Sequence, residues 1–226
     1  SRGEAGICKG VFAVTYSRQQ INAPGAGVEE GLPDVTLKFD PSQYRDSWHE
    51  NTKVAIADIY ENGKPYGLCG RTALKKAIEA WRRHGLDPLV GLEGIPVESI
   101  NAEFDNPQFE LTLQYDDALK ACDDFFLFRN MAREVLYERG YVLSYLPKPF
   151  KDISGSGLHI NLSFRDINGN NALANGIKEN ELSTLAKGCI SGLLKHHEAL
   201  GGILAPTVNS YERLTPDGMC GYWASW

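Results

Sequence analysis

Hydrophobic and polar positions along the chain recur with two different periods, and the change between them divides it. Val11–Ser17 (VFAVTYS), Asp34–Asp40 (DVTLKFD) and Lys53–Tyr60 (KVAIADIY) carry the β-branched content and partial alternation of strands. Asn62-Gly63, after the third, is a tight-turn signal. From Thr72 the period lengthens: Leu74, Ala77, Ile78 and Trp81 fall on one helical face, and Gly85 follows as a stop. This shift predicts a boundary near residue 70, with one domain over 1–70 and a second over 71–226.

In the second domain Leu89–Glu93 reads as a short strand and Phe109–Tyr115 as an alternating one. Asp116 and Asp117 open a long helix predicted to run to Gly140, with Arg139 at its C-terminal end as the helix dipole prefers. Tyr141–Leu146 and Gly157–Phe164 are two further predicted strands. Asn180 is the expected cap of a last helix in which Leu182, Leu185, Ala186, Cys189, Ile190, Leu193 and Leu194 keep helical spacing. Strands at hairpin-like spacing followed by helices predict an α+β fold with antiparallel sheet. Such a sheet packs one face on a core and turns the other toward a cavity.

Composition narrows the function classes. With 226 residues, 42% hydrophobic and 23% charged, the chain is long and apolar enough for a core, which excludes disorder, collagen and coiled coil. A net charge of −6 supplies no bulk field toward nucleic acid or anionic membranes, leaving small molecules and proteins as expected partners. No apolar run approaches the roughly 20 residues that span a bilayer, and the start SRGEAGICKG lacks the apolar core of a signal peptide, so a cytoplasmic location is expected. Cys8, Cys69, Cys122, Cys189 and Cys220 are odd in number, scattered and without a CxxC pair; reduced thiols packing as small hydrophobes are expected.

Two strands carry candidate chemistry. Across 158–165, Leu158, Ile160, Leu162 and Phe164 share one face while His159, Asn161, Ser163 and Arg165 share the other. The polar row reads either as a solvated strand face or as a row of ligand groups, and the flexible approach Ser154-Gly155-Ser156-Gly157 lets backbone come close to a ligand. In the other strand Glu110 faces the same polar side, and the turn-forming Asp105-Asn106-Pro107 is expected to fold Glu103 back beside it. Two carboxylates and an imidazole suit magnesium or manganese; the alternative is that Glu103 and Glu110 are surface charges. His196 and His197 read as helix-end or core residues, since i and i+1 do not face each other, and His49 and His84 remain unassigned.

Four blocks, AEFDNPQFEL, LSYLPKPF, SGSGLHINLSF and APTVNSYERL, occur in the same order as HEYGPGQFE, TFMPKP, NGSGMHVHQSL and APTVNSYKRL of glutamine synthetases. The stretch IADIYENGKPYGLCGR is similar to that family's interdomain segment. The resemblance implies a small β-grasp N-terminal domain and a catalytic domain whose curved antiparallel sheet is flanked by helices. It implies an ATP-dependent, Mg2+- or Mn2+-dependent ligase that phosphorylates the γ-carboxylate of glutamate and lets ammonia or another amine displace phosphate. By position, Glu93, Glu103, Glu110 and His159 resemble metal ligands. Gly155 and Arg213 resemble the residues that hold glutamate, and Asn161 and Ser163 those near ATP. Lys148, in the PKP block, is read as structural or electrostatic. A homo-oligomer of stacked rings is implied as well.

Departures from the pattern accompany the resemblance. Ser154 stands for the block's Asn, Asn161 replaces the second histidine of HxH, and Met219 falls where the family has the glutamate that helps deprotonate ammonium. VGLE runs directly into GIPVES without the family's long variable stretch, so segments are expected to be missing at Glu93–Gly94 and after Trp226, and also near Asn22–Gly31. The expectation is a glutamine synthetase, with a ligase for polyamines or other larger amines, or a catalytically silent homologue, as the alternatives.

Overall fold

The computed structural model describes residues 3–15, 19–91, 97–103, 105, 107–174 and 181–215, arranged in two compact units, Ser1–Glu79 and Ala80–Trp226. In the first, β1 (Glu4–Cys8), β2 (Asp34–Lys38), β5 (Asp58–Glu61) and β6 (Lys64–Pro65) form an antiparallel sheet in that order, and β3 (Arg45–Asp46) pairs with β4 (Lys53–Val54). Asn62 and Gly63 both have positive φ, 50° and 75°, and close the β5–β6 hairpin with Glu61 opposite Lys64, as the dipeptide predicts.

Two strand expectations are corrected here. Lys9–Phe12 is a 3-10 turn, and the edge strand is the preceding EAGIC segment, whose Ile7 pairs with the buried Val35. Lys9, in that turn, is buried and pairs with Glu61 2.5 Å away, and Tyr16 and Ser17 of the expected strand lie outside the described residues. Lys53–Tyr60 is two strands instead of one, because Lys53–Val54 turns aside to pair with β3.

Helix α1 (Gly70–Arg82) spans the division between the two units, which falls at Glu79–Ala80, later than the boundary expected near residue 70. Gly85, at φ 72°, ends the following turn. In the second unit β7 (Asp87–Gly91) is the centre of a three-stranded antiparallel sheet, flanked by β10 (Asp116–Asp117) and β11 (Asn161–Arg165). Strands β8 (Val97–Ala102) and β9 (Phe109–Leu113) make a separate hairpin. Helix α2 (Ala118–Glu138) buries Ala118, Ala121, Asp124 and Phe128, a stripe at spacings of three and four. It ends in a Schellman motif at Gly140, φ 81°, with Tyr141 N–H donating to Leu136 C=O.

Three expectations in this unit change. Tyr141–Leu146 joins no strand ladder among the described residues; Tyr145 packs beneath the Arg129 guanidinium, 5.0 Å from its ring centre. The strand expected from Gly157 is paired from Asn161, which lies opposite Gly91 of β7. The anticipated core face of that strand is buried only at Phe164, fully enclosed with Trp81 4.4 Å from its ring, whereas Leu158, Ile160 and Leu162 are 46%, 54% and 47% exposed. The last helix divides at His196 into α3 (Thr184–Lys195) and α4 (His197–Leu204), and both histidines are exposed at that break. Ser183 caps α3 by accepting from Ala186 N–H; the expected cap, Asn180, lies outside the described residues. Short α5 (Val208–Arg213) follows, with Thr207 as its cap. Phe164→Ala is expected to cost about 3–5 kcal/mol, as removal of an enclosed aromatic ring does, measured by urea unfolding followed by tryptophan fluorescence.

Candidate active site

The β8–β9 register places Asn101 opposite Glu110 and Ala102 opposite Phe109, and Glu103 N–H donates to Gln108 C=O at 3.0 Å. Residues opposite each other, and alternate residues of one strand, share a face. Glu103, Gln108 and Glu110 therefore share a face, with the two carboxylates on diagonal positions, about 7–8 Å apart in ordinary sheet geometry. Glu103 is thus folded back onto the strand of Glu110, and Gln108 N–H donates to Asp105 C=O at 3.0 Å; Asn106 of the expected turn lies outside the described residues.

Hairpin side chains reach the glycine turn. Gln108 Nε2 donates to Gly155 C=O at 3.1 Å, and Ser154 N–H donates to Asp105 Oδ2 at 2.5 Å. The Ser154 hydroxyl, then its N–H, and the nearby Lys148 cation hold the Asp105 carboxyl below the usual carboxylate range, against a smaller opposing effect of burial. Within the turn Ser156 N–H donates to Pro147 C=O at 2.8 Å and Lys148 Nζ to Ile153 C=O, so the PKP segment closes on the SGSG segment.

Helix α5 closes the other side. Asn209 accepts from Lys148 N–H through Oδ1 at 2.8 Å and donates through Nδ2 to Lys148 C=O at 2.7 Å. Arg213 is four residues on, and so on the same helix face. A Cβ on Gly155 would press into Pro147 C=O and lie 2.8 Å from Arg213 Cγ; one on Gly157 would lie 2.9 Å from Arg213 Nη2 and 3.6 Å from His159 Nε2. Gly155 is thus required by close approach to fixed backbone, Gly157 lies against the movable tip of Arg213, and Gly155, Gly157, His159 and Arg213 converge.

Other expected residues fall elsewhere. Asn161 and Ser163 sit on β11 opposite Gly91 and Leu89, in a sheet separate from the Glu110 hairpin, so one continuous polar sheet face is not formed among the described residues. Among the described residues the β9 ladder reaches only β8, and the hairpin meets the glycine turn through side chains instead. Among the described residues no three His, Cys, Asp or Glu side chains gather as a metal-binding group; Glu93 and Met219 lie outside those residues. Sequence reasoning overlooked Gln108, Asp105 and Asn209. Gln108 shares the hairpin face with both glutamates, and Asn209 stands one helical turn before Arg213, which are the signals available for finding them.

The model of the glutamine synthetase catalytic domain matches residues 92–226. The chain belongs to the glutamine synthetase family. It is 29% identical to a glutamine synthetase of Pyrococcus abyssi over 251 positions, covering 91% of this chain and 56% of that protein. It is 26% identical to a glutamate–isopropylamine ligase of a Pseudomonas species, covering 88% of this chain and 56% of that protein. A solved structure described as a novel glutamine synthase homolog has the same fold, with TM-score 0.82 at 22% identity, covering 95% of this chain and 60% of that one. The chain thus spans about half the length of the curated relatives it matches.

The alignment with the Pyrococcus glutamine synthetase takes in 91% of 226 residues over 251 positions, so about 45 positions of that relative have no counterpart here.

Gly155→Ala forces Arg213 and the Pro147 carbonyl apart. It is expected to destabilise the second unit by about 1–3 kcal/mol, the usual cost of overpacking, read as a lower urea midpoint at unchanged slope.

Proposed function

We propose that this chain is the substrate-activating part of an ATP-dependent ligase that joins an amine to the γ-carboxylate of glutamate. A γ-carboxylate oxygen attacks the terminal phosphorus of ATP and ADP departs, leaving γ-glutamyl phosphate. The amine nitrogen then attacks the acyl carbon, inorganic phosphate leaves, and the nitrogen gives up a proton to become an amide. What carries the reading is the convergence of Arg213 with Gly155, Gly157 and His159 beside a hairpin bearing two carboxylates. A guanidinium packed against exposed turn backbone suits the carboxylate and amide-like recognition that glutamate demands.

In this reading Arg213 grips a substrate carboxylate and Gly155 offers backbone to the same molecule. Asn161 and Ser163 approach ATP. Glu103, Glu110, Glu93 and His159 supply carboxylates and an imidazole for Mg2+ or Mn2+, which when bound neutralises phosphate charge during transfer. That Glu103 and Glu110 share one hairpin face supports reading them as ligands of one ion. The N-terminal antiparallel sheet is read as the family's β-grasp domain, and the assembled enzyme as a cytoplasmic ring-stacked homo-oligomer. Among the described residues no helix is long and apolar enough to cross a membrane.

Ammonia is the simplest nucleophile. A larger amine is the second reading, favoured by the likeness to the Pseudomonas glutamate–isopropylamine ligase and by Met219 at the position of the family's ammonium-directed glutamate.

Phosphate release from ATP with magnesium and glutamate, assayed separately with ammonium, methylamine, isopropylamine and putrescine, tests both readings. Release that needs glutamate and one amine is the expected result and names the nucleophile. Silence with every amine would overturn the ligase reading in favour of a non-catalytic homologue.

A further inference from the structure

Two of the positions at which this chain departs from the family blocks touch each other. Asp105 stands where HEYGPGQFE has its first glycine, and Ser154 where NGSGMHVHQSL has its asparagine. They are 49 residues apart in sequence, yet Asp105 Oδ2 accepts from Ser154 N–H at 2.5 Å. A glycine at position 105 has no atom that could do this.

We propose that Asp105 is a positioning residue that latches the Gly155 turn to the hairpin carrying Glu103 and Glu110. The turn is then held from two sides of its leading peptide. Ser154 N–H is tied to Asp105, and the Gly155 carbonyl is tied to Gln108 Nε2. Ser154 N–H belongs to the peptide before Ser154 and Gly155 C=O to the peptide after Gly155, so the two bonds hold the peptide planes on either side of the Ser154–Gly155 link and limit its rotation. A charge-assisted bond from a backbone N–H is also among the stronger hydrogen bonds a protein makes.

The consequence for substrate rests on the ligase reading. Gly155 lies against Arg213, so the latch sets where the turn backbone and the guanidinium meet, and through them the glutamate pocket. Asp105 makes no contact with reacting atoms in this account; it acts through Ser154 and Gly155.

Amide exchange and steady-state kinetics on the full chain test the two parts separately. By NMR, Asp105→Ala is expected to speed exchange of the Ser154 amide at least about tenfold while the β7 and β11 amides keep their rates. Asp105→Asn retains an accepting oxygen and is expected to fall between. In the phosphate-release assay Asp105→Ala is expected to raise KM for glutamate about tenfold with a smaller change in kcat, and Asp105→Asn to recover part of it. Unchanged Ser154 exchange in Asp105→Ala overturns the latch. Faster exchange with unchanged KM overturns its positioning role. If the unmodified chain releases no phosphate the ligase reading fails, and the exchange experiment still decides the latch.

Discussion

The grip of the Asn209 amide on both backbone groups of Lys148 is the contact on which the site depends. A primary amide offers one acceptor and two donors, and here it meets the N–H and C=O of a single residue at 2.8 and 2.7 Å, as a neighbouring strand would. The two residues are 61 positions apart, so this contact fixes α5 against the PKP segment. Everything else is carried from there. Lys148 reaches on to Ile153, Pro147 takes Ser156, and the i+4 relation of Asn209 to Arg213 delivers the guanidinium to the glycine turn.

That dependence explains why a glycine stands at position 155. Gly155 and Gly157 are not in the left-handed region; Gly155 is required because the Pro147 carbonyl and the Arg213 stem occupy the space a Cβ would need, and Gly157 lies against the Arg213 tip. A site built by close approach of backbone to a long cationic side chain has little slack, and interiors packed this tightly transmit small displacements. The hairpin then joins through Gln108 and Asp105, so the carboxylate-bearing element and the guanidinium-bearing element meet at one turn.

Much of this was legible in the sequence, for identifiable reasons. The Asn62-Gly63 hairpin, the helix from residue 70, and the stop of α2 at Gly140 follow from local backbone preferences, and local rules sufficed. Face sharing of Glu103 and Glu110 followed from turn chemistry and a period of two. What could not be read was set by distant partners. Lys9, in its 3-10 turn, pairs with Glu61, and Tyr145, in a run that joins no strand ladder among the described residues, packs beneath Arg129 of α2. The polar row on 158–165 was expected to share one sheet with Glu110, but sheet membership is decided by which ladder a strand joins, which alternation alone does not encode. Asp105, Gln108 and Asn209 escaped notice because each works through a backbone group of another segment, and such a partner leaves no pattern in sequence.

The most direct test of the account is glutamate binding to the Asn209→Asp variant, measured by calorimetry with magnesium and ATP analogue present, beside the unmodified chain. The substitution keeps size and the acceptor for Lys148 N–H but removes the donor and sets a carboxylate against the Lys148 carbonyl. A loss of about 1–3 kcal/mol at that pair should reach Arg213 and weaken glutamate by roughly 10–100-fold, with a cooperative melt retained. Equal affinity in the two proteins would contradict the claim that this grip builds the site.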